Sequence, residues 1–192
     1  MASLTLRTDR LVLRRWTDSD REQLALISAD PEVMRYHRAP LSHEESDQVI
    51  DETEACFDLN GFGLWAVERR SDGRTLGFTG LATSDFDAPF CPAVDIGWRL
   101  ARDAWGFGYA TEGALASLEF AFTELGLAEV VAHTTSLNQR SQAVMRRIGM
   151  SHDPADDFAG PWYPAGHPFR PFVLYRMNAT DWRANSPGRS HR

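Results

Sequence analysis

Cysteine is scarce in this chain of 192 residues, which has only Cys56 and Cys91. Two cysteines cannot form the dense disulfide framework of a small secreted domain, so we predict a reducing, cytoplasmic location. No apolar run approaches the roughly 20 residues of a membrane span, and residues 1–7 lack the apolar core of a signal peptide. From these absences we predict a protein with no membrane partner.

Positive charge is also in deficit, since 27 acidic side chains outnumber 20 basic ones and the net charge is −7. Binding to duplex nucleic acid needs a basic surface, so this balance predicts no nucleic-acid partner. An acidic protein is compatible with a cationic substrate such as an amine, although acidity also keeps proteins soluble in general. The histidines are scattered without the spacing of a metal site, and we predict no metal ion.

The order of periodic segments predicts one mixed α/β domain. Strand patterns occur over residues 4–16, with an interruption near Asp9, and over 63–69, 75–83, 93–100, 129–134 and 172–177. Helix patterns occur over residues 19–30, 43–60, 110–125 and 138–148, with a short additional helix predicted at 31–36. Capping residues support one of these helices, because Ser42 and Glu45 form a capping box before it and Gly61 follows its end.

A glycine-rich turn connects one predicted strand to the helix that follows it. The turn reads Trp-Gly-Phe-Gly-Tyr-Ala-Thr-Glu over residues 105–112, after the strand 93–100 and before the helix 110–125. The first N–H groups of a helix have no partner inside the helix, and the helix dipole adds positive potential there. The turn therefore predicts a site for a phosphorylated ligand.

Two common phosphate-binding motifs fit this turn poorly. A P-loop needs a lysine directly after its last glycine, and no lysine lies near Gly108. A dinucleotide fold needs three glycines in its turn and an acidic residue after the next strand. Here the third glycine is missing, and Glu129 lies at the start of its predicted strand rather than after it. A nicotinamide oxidoreductase is therefore only a distant alternative.

Residues 105–112 instead resemble the acetyl-CoA pyrophosphate loop of the GNAT N-acetyltransferase superfamily, especially its RimJ/RimL branch. Residues 6–14, 95–98, 125–131 and 138–150 resemble further segments of that branch, in the same order and spacing.

The resemblance covers residues 4–178, taken as a single domain. It implies an α/β fold with a mostly antiparallel central sheet, one splayed pair of parallel strands and flanking helices. The polar residues 183–192 are predicted to form a disordered tail.

The resemblance also implies which residues bind acetyl-CoA, the co-substrate of the family. Backbone groups of Trp98 and Leu100 would pair with the pantetheine arm, and N–H groups of the glycine turn would bind the pyrophosphate. The implied cofactor-binding residues are Trp98, Arg99, Leu100, Gly106, Phe107, Gly108, Tyr109, Ala110, Thr111, Asn138 and Ser141. A plain surface role is the alternative for Arg99, and a helix N-cap is the alternative for Asn138.

Acetyl transfer to an amine needs a base, a donor for the oxyanion and an acid for the leaving thiolate. The resemblance implies that the Trp98 backbone N–H is the oxyanion donor. Many superfamily members use a tyrosine as the acid, but this chain has Met145 at that place, which leaves Ser141 as the candidate. A hydrogen bond from Ser141 to the cofactor or the helix is the alternative role. Asp95 is the candidate base, with an ion pair or an edge-strand position as its alternative.

The resemblance implies an enzyme in which a primary amine attacks acetyl-CoA directly within a ternary complex. The amine belongs to a protein N-terminus or to a small molecule. Aromatic residues of the loop 153–171, such as Trp162, either wall its pocket or serve only for packing. The chain is predicted to act as a monomer or a homodimer. A non-catalytic sensor of acetyl-CoA is the alternative from another class, because Met145 cannot donate a proton.

Overall fold

The computed structural model describes residues 4–185. Its strands are β1 (Leu6–Arg7), β2 (Leu11–Arg14), β3 (Leu64–Arg69), β4 (Thr75–Ser84), β5 (Ala93–Leu100), β6 (Glu129–Thr135), β7 (Ser151–His152), β8 (Phe158–Ala159) and β9 (Pro171–Asn178). Its α-helices are α1 (Arg21–Ala29), α2 (His43–Asn60), α3 (Tyr109–Thr123), α4 (Gln139–Arg147) and α5 (Ala179–Asn185). None of the described helices is long and apolar enough to cross a membrane.

The strands pair in the order β1-β2-β3-β4-β5-β6-β9-β7, and β8 also pairs with β9. The pairs β1–β2, β2–β3, β3–β4, β6–β9, β7–β9 and β8–β9 are antiparallel. Strands β5 and β6 are parallel, and among the described residues their pairing is at Asp95 opposite Val131 alone. The predicted α/β fold, with a mostly antiparallel sheet and one parallel pair, is confirmed.

The contacts within the described chain divide it into two compact units, each with its own core. The first unit comprises the described residues up to 82 and residues 96–117. In this unit, α1 and α2 pack on one face of the sheet through a buried cluster. The cluster contains Trp16, Leu24, Ile50, Ala66 and Phe78. The predicted capping box begins α2, because the Ser42 hydroxyl accepts from the Glu45 N–H and the Glu45 carboxylate accepts from the Ser42 N–H.

A buried ion pair connects β2 to the turn before α1 in this unit. Asp20, which is 3% exposed, accepts hydrogen bonds from Arg14 Nη1 at 2.8 Å and from Arg14 Nη2 at 2.9 Å. The Thr75 hydroxyl donates to the same carboxylate at 2.6 Å. Burial alone would raise the Asp20 pKa, but the bonds from Arg14, Thr75 and Thr17 outweigh it and lower the pKa below its ordinary value.

Replacing Asp20 with asparagine is expected to lower the free energy of unfolding by about 2–3 kcal/mol at pH 7. The loss of stability should be smaller than for a buried arginine left with no ion-pair partner, because Glu68 still pairs with Arg14 at 2.7 Å. Because the Asp20 pKa is lowered on folding, its contribution is complete at neutral pH and is lost as the pH falls through the folded-state pKa. Urea unfolding of both proteins at several pH values measures the difference.

The control variant is Asp72→Asn, which removes an exposed ion pair with Arg69. Exposed pairs contribute little, so this variant should change stability much less than Asp20→Asn. Equal losses in the two variants would contradict the structural role of the Asp20 pair.

The second unit comprises residues 83–95 and the described residues from 118 onwards. Its centre is β6, which pairs with β9 along its whole length from Glu129 opposite Asn178 to Thr135 opposite Phe172. Val130, Val131 and Ala132 are buried on this strand. The long antiparallel register fixes the place of β6 in the sheet, and α4 begins after a short turn at residues 136–138.

Several short segments differ from the sequence prediction, including the strands β7 and β8, which were not predicted. Residues 31–36 form turns rather than a helix, because the Asp30 carboxylate accepts from the Glu32 N–H at 2.8 Å and competes with helical bonding. The helix α5 was not predicted, although Asn178 caps it by accepting from the Asp181 N–H at 2.8 Å. This helix includes residues 183–185 of the predicted tail, and residues 186–192 lie outside the described residues.

Candidate active site

The glycine turn lies where the sequence placed it, directly before α3. Gly106 and Gly108 have φ angles of 84° and 83°, in the left-handed region that favours glycine. A Cβ atom at Gly106 would meet nothing within 4 Å, and one at Gly108 would meet only Arg10 Nη2 at 3.6 Å. The backbone of the turn is therefore open to a ligand on its outer side.

The N–H groups at the start of α3 are available to that ligand. The Glu112 N–H donates to the Gly108 carbonyl at 3.0 Å, which closes the first turn of the helix. The N–H groups of Tyr109, Ala110 and Thr111 precede this bond, and no described residue accepts a hydrogen bond from them. With the dipole of a 15-residue helix behind them, these groups have the arrangement that anions bind at helix N-termini.

Residues from the opening motif hold the turn in place. Arg10 Nη1 donates to the Phe107 carbonyl at 2.9 Å, and Arg10 Nε donates to the Glu112 carboxylate at 2.6 Å. Glu112 also accepts from the Thr8 hydroxyl at 2.6 Å, and the Arg10 guanidinium lies 4.7 Å from the centre of the Tyr109 ring.

Sequence reasoning used Thr8 and Arg10 as family markers but missed this role. Thr8 and Arg10 lie about 100 residues from Glu112 along the chain, so the sequence does not reveal their contact with it. The resemblance of residues 6–14 to the family was the one signal that these residues matter. Arg10 stays 48% exposed and brings a positive charge to the edge of the turn.

The hydrogen bonds on either side of Trp98 indicate the direction of its backbone N–H. The Ala101 N–H donates to the Leu76 carbonyl at 2.8 Å, and the Gly97 carbonyl accepts from the Thr79 hydroxyl at 3.1 Å. The backbone groups of Gly97 and of Ala101, the residue after β5, thus point to the side of β4. Backbone groups alternate along a strand, so the Trp98 N–H points away from β4.

Arg99 lies on the face of the first unit that α1 and α2 cover. Its Nη1 atom donates to the Ser28 hydroxyl at 3.2 Å, and its guanidinium lies 5.1 Å from the centre of the Phe78 ring. Burial lowers the Arg99 pKa to about 10, so the side chain stays charged at neutral pH. Its contact with the cofactor remains a prediction.

Asp95 lies in the second unit, at the register position where β5 pairs with β6. Its Oδ1 atom accepts a hydrogen bond from the buried Ser84 hydroxyl at 2.8 Å. Burial raises the Asp95 pKa to about 6, against the opposing effect of the Ser84 hydrogen bond. No basic side chain among the described residues forms an ion pair with Asp95, so the ion-pair alternative gains no support. A carboxyl group with this pKa can exchange a proton near neutral pH.

Asn138 and Ser141 lie together at the start of α4 in the same unit. The Asn138 Oδ1 atom accepts from the Ser141 N–H at 3.2 Å, so the N-cap alternative for Asn138 is confirmed. The Asn138 Nδ2 atom donates to the Ser141 hydroxyl at 3.2 Å and to the Thr134 hydroxyl at 3.1 Å. Because the Ser141 oxygen accepts from Asn138, its own hydrogen is left to donate elsewhere. Met145 is buried in the core at 2% exposure, one turn further along.

The aromatic residues of the late loop pack against one another and against β6. Trp162 stacks on His133 with ring centres 5.7 Å apart, and Tyr163 stacks on His167 at 4.7 Å. Both ring nitrogens of His133 are shielded from solvent without a hydrogen-bond partner, and burial lowers its pKa to about 4. His133 is therefore a neutral packing residue. Within the second unit, the aromatic contacts of the loop 153–171 fit the role in packing that was predicted as an alternative to a substrate pocket.

Comparison with known protein families and sequences points to one activity. The model of the acetyltransferase (GNAT) domain matches residues 10–151 of this chain. An Aspergillus fumigatus protein named FsC-acetyl coenzyme A-N(2)-transacetylase is 35% identical over 158 residues. That alignment covers 79% of this chain and 66% of the relative, so the chain spans slightly less than two thirds of the relative's length.

Solved structures with a similar fold are also acetyltransferases. An acetyltransferase from Agrobacterium tumefaciens has a TM-score of 0.74 and 28% identity, covering 93% of this chain and 96% of that one. RimL, a ribosomal L7/L12 alpha-N-protein acetyltransferase solved with coenzyme A, has a TM-score of 0.72 at 16% identity. The RimL match covers 91% of this chain and 97% of that chain, and at this identity it supports the fold alone.

Proposed function

The chain belongs to the GNAT acetyltransferase family, and we propose that it transfers the acetyl group of acetyl-CoA to a primary amine. Acetyl-CoA is the co-substrate of this family. The observation that carries the proposal is the open glycine turn before α3, with the N–H groups of Tyr109, Ala110 and Thr111 free for a pyrophosphate. The proposal retains three sequence predictions: the RimJ/RimL branch, a cytoplasmic location, and a monomer or homodimer.

The proposed reaction needs a neutral amine, and Asp95 provides the base. With a pKa near 6, Asp95 is mostly ionised at pH 7 and takes the proton that the amine loses, directly or through one water molecule. A carboxylate with an ordinary pKa would be a weaker base, so burial of Asp95 increases its ability to accept a proton. The Ser84 hydrogen bond holds the carboxyl group in one orientation.

Two further groups act on the acetyl carbonyl and on the leaving sulfur. The Trp98 N–H donates to the carbonyl oxygen as negative charge develops on it, and one such donor typically contributes about 3–4 kcal/mol. Ser141 donates its hydroxyl proton to the departing thiolate, which leaves as the thiol, and the serine oxygen regains a proton through solvent as Asp95 releases the proton that it took from the amine. Asn138 is a positioning residue in this step, because its Nδ2–H occupies the Ser141 oxygen and directs the hydroxyl hydrogen outwards.

Thermal unfolding with acetyl-CoA, coenzyme A, NAD and ATP in parallel is the first test of this function. A ligand at about 100 times its Kd stabilises a protein by about 2.7 kcal/mol, which should raise the Tm of a chain this size by roughly 5–10 °C. We expect this rise with acetyl-CoA and coenzyme A only. Stabilisation by NAD alone, or by none of the four, would contradict the proposal.

Thiol release with a panel of amines then tests turnover. All 20 basic residues of the chain are arginine, so its α-amino group is the only primary amine that could consume acetyl groups internally. Cys56 and Cys91 give a constant thiol background that a reaction without acceptor corrects. Binding of acetyl-CoA without turnover of any amine would favour the non-catalytic sensor instead.

A further inference from the structure

Arg99 carries a partly buried charge that no described residue neutralises. Its Nη1 atom donates to the Ser28 hydroxyl, while its Nε atom is shielded from solvent and has no hydrogen-bond partner. No carboxylate among residues 4–185 forms an ion pair with it, and burial is the one cause that shifts its pKa. The other partly buried arginines of this unit differ. Arg14 pairs with Asp20, and Arg15 pairs with Glu54.

An unpaired charge inside a protein is costly. Removing a guanidinium from water loses strong hydration, and the loss is recovered only by hydrogen bonds and an opposite charge. The hydroxyl of Ser28 and the face of the Phe78 ring supply part of this compensation, because a cation over an aromatic ring is weakly attracted. An anionic group that enters beside Arg99 would supply the remainder.

The position of Arg99 separates it from the phosphate site. On β4, Phe78 belongs to the cluster under α1 and α2, while the next residue, Thr79, meets Gly113 of α3. Successive side chains of a strand lie on opposite faces of a sheet, so Arg99 shares the face of α1 and α2 and α3 lies on the other face. The glycine turn leads into α3, so a different anion has to reach Arg99.

The surroundings of Arg99 suit a single negative charge. Ser28 is fully buried near the end of α1, and its carbonyl accepts from the Leu41 N–H, which draws the loop between α1 and α2 over it. His37 stands on that loop and is exposed to solvent. Partial burial of its ring and the charge of Arg99 lower the His37 pKa, so His37 is neutral at pH 7 and donates without adding charge.

We propose that Arg99, together with Ser28 and His37, binds a carboxylate group of the acceptor, so that the substrate is an amine which also carries a carboxylate. One guanidinium balances one carboxylate, and its planar fork donates two parallel hydrogen bonds to it. Trp98, the preceding residue on the same strand, offers its N–H to the acetyl carbonyl. The acceptor's amine and carboxylate are then separated by a short spacer, as in an amino acid. This inference rests on the proposed acetyltransferase function.

The test measures kcat/KM for amines in matched sets: an α-amino acid, its carboxamide, the decarboxylated amine and the aminophosphonate. We expect the wild-type protein to prefer the amino acid over the carboxamide and the amine at least tenfold. In Arg99→Met this preference should vanish through a higher KM for the amino acid, while the KM for acetyl-CoA stays within twofold. Arg99→Lys, which keeps the charge without the planar fork, should lose part of the preference.

Other outcomes would overturn the inference. If Arg99→Met raises the KM for acetyl-CoA and leaves the choice of acceptor unchanged, Arg99 binds the cofactor. Wild-type turnover without preference for a carboxylate, or with preference for the phosphonate, rejects the carboxylate site but leaves the proposed function intact.

Calorimetric titration with N-acetyl amino acids gives a readout that is independent of turnover. Binding to the wild-type protein and at least tenfold weaker binding to Arg99→Met are expected, even if no amine in the panel is acetylated. Equal binding to both proteins would reject the site. A thermal melt of each variant checks folding, and Arg99→Lys replaces Arg99→Met if the latter unfolds.

Discussion

Replacing Asp95 with asparagine is expected to lower kcat by about 10²–10⁴-fold, the usual contribution of a general base. Asparagine keeps the shape of the side chain and an oxygen that accepts from the Ser84 hydroxyl, so the change removes the basic group and little else. In the wild-type protein, kcat/KM should rise with pH through about 6 as Asp95 ionises. In Asp95→Asn this rise should disappear, which a pH–rate profile with acetyl-CoA and a reactive amine measures.

Ser84→Ala is the matched control for this profile. The Ser84 hydroxyl stabilises the ionised form of Asp95 and lowers its pKa, so removing the hydroxyl should move the activity midpoint to a higher pH. The variant keeps its base and should retain activity at alkaline pH. If Ser84→Ala leaves the midpoint unchanged, or if Asp95→Asn keeps both full activity and the wild-type profile, Asp95 is not the base.

The stability of Asp95→Asn gives an independent check on the same carboxyl group. Because the Asp95 pKa is raised on folding, the folded state favours the protonated form. The wild-type protein therefore loses stability from this group as the pH rises through about 6, and Asp95→Asn does not. At pH 8 the less active variant should be at least as stable as the wild-type protein, a trade-off common at catalytic sites.

The parts of this molecule that sequence predicts well are those decided by neighbours along the chain. The capping box of Ser42 and Glu45 lies within four residues, and the glycine turn at Gly106 and Gly108 directly precedes its helix. Residues 31–36 are an exception, because a local pattern predicted a helix there and the structure has turns. The Asp30 carboxylate accepts from the Glu32 N–H and replaces a helical hydrogen bond. Local patterns therefore predicted the order of the main elements and the place of the glycine turn.

The features that sequence could not predict depend on contacts between distant residues. The raised pKa of Asp95 requires burial together with the Ser84 hydroxyl, and neither is visible in the residues beside it. In the sequence, Arg99 looks like Arg14 and Arg15. Only the structure shows that Arg14 and Arg15 have carboxylate partners and that Arg99 has none among the described residues. Electrostatic environment is a property of three-dimensional packing, so the chemistry of the site is less predictable than its location.

Replacing Gly108 with valine is expected to weaken acetyl-CoA binding about 10²-fold. A left-handed backbone costs a non-glycine residue about 1–2 kcal/mol, so the turn would shift away from the geometry that aims its N–H groups at one point. The added side chain would also cover the open surface from which a phosphate approaches Tyr109, Ala110 and Thr111. Losing one or two hydrogen bonds to a charged group, at about 1.5–3 kcal/mol each, accounts for the size of the effect.

Gly61→Val separates backbone strain from loss of the phosphate site. Gly61 has a φ of 75° and open space around it, as Gly106 and Gly108 do, but it ends α2 and has no predicted ligand. Both variants should therefore lose thermal stability, while only Gly108→Val should lose affinity in a calorimetric titration with coenzyme A. Similar affinity losses in both variants would mean that strain alone spreads through the first unit. Unchanged affinity in Gly108→Val would mean that the phosphates bind elsewhere, and the function argued from this turn would lose its main support.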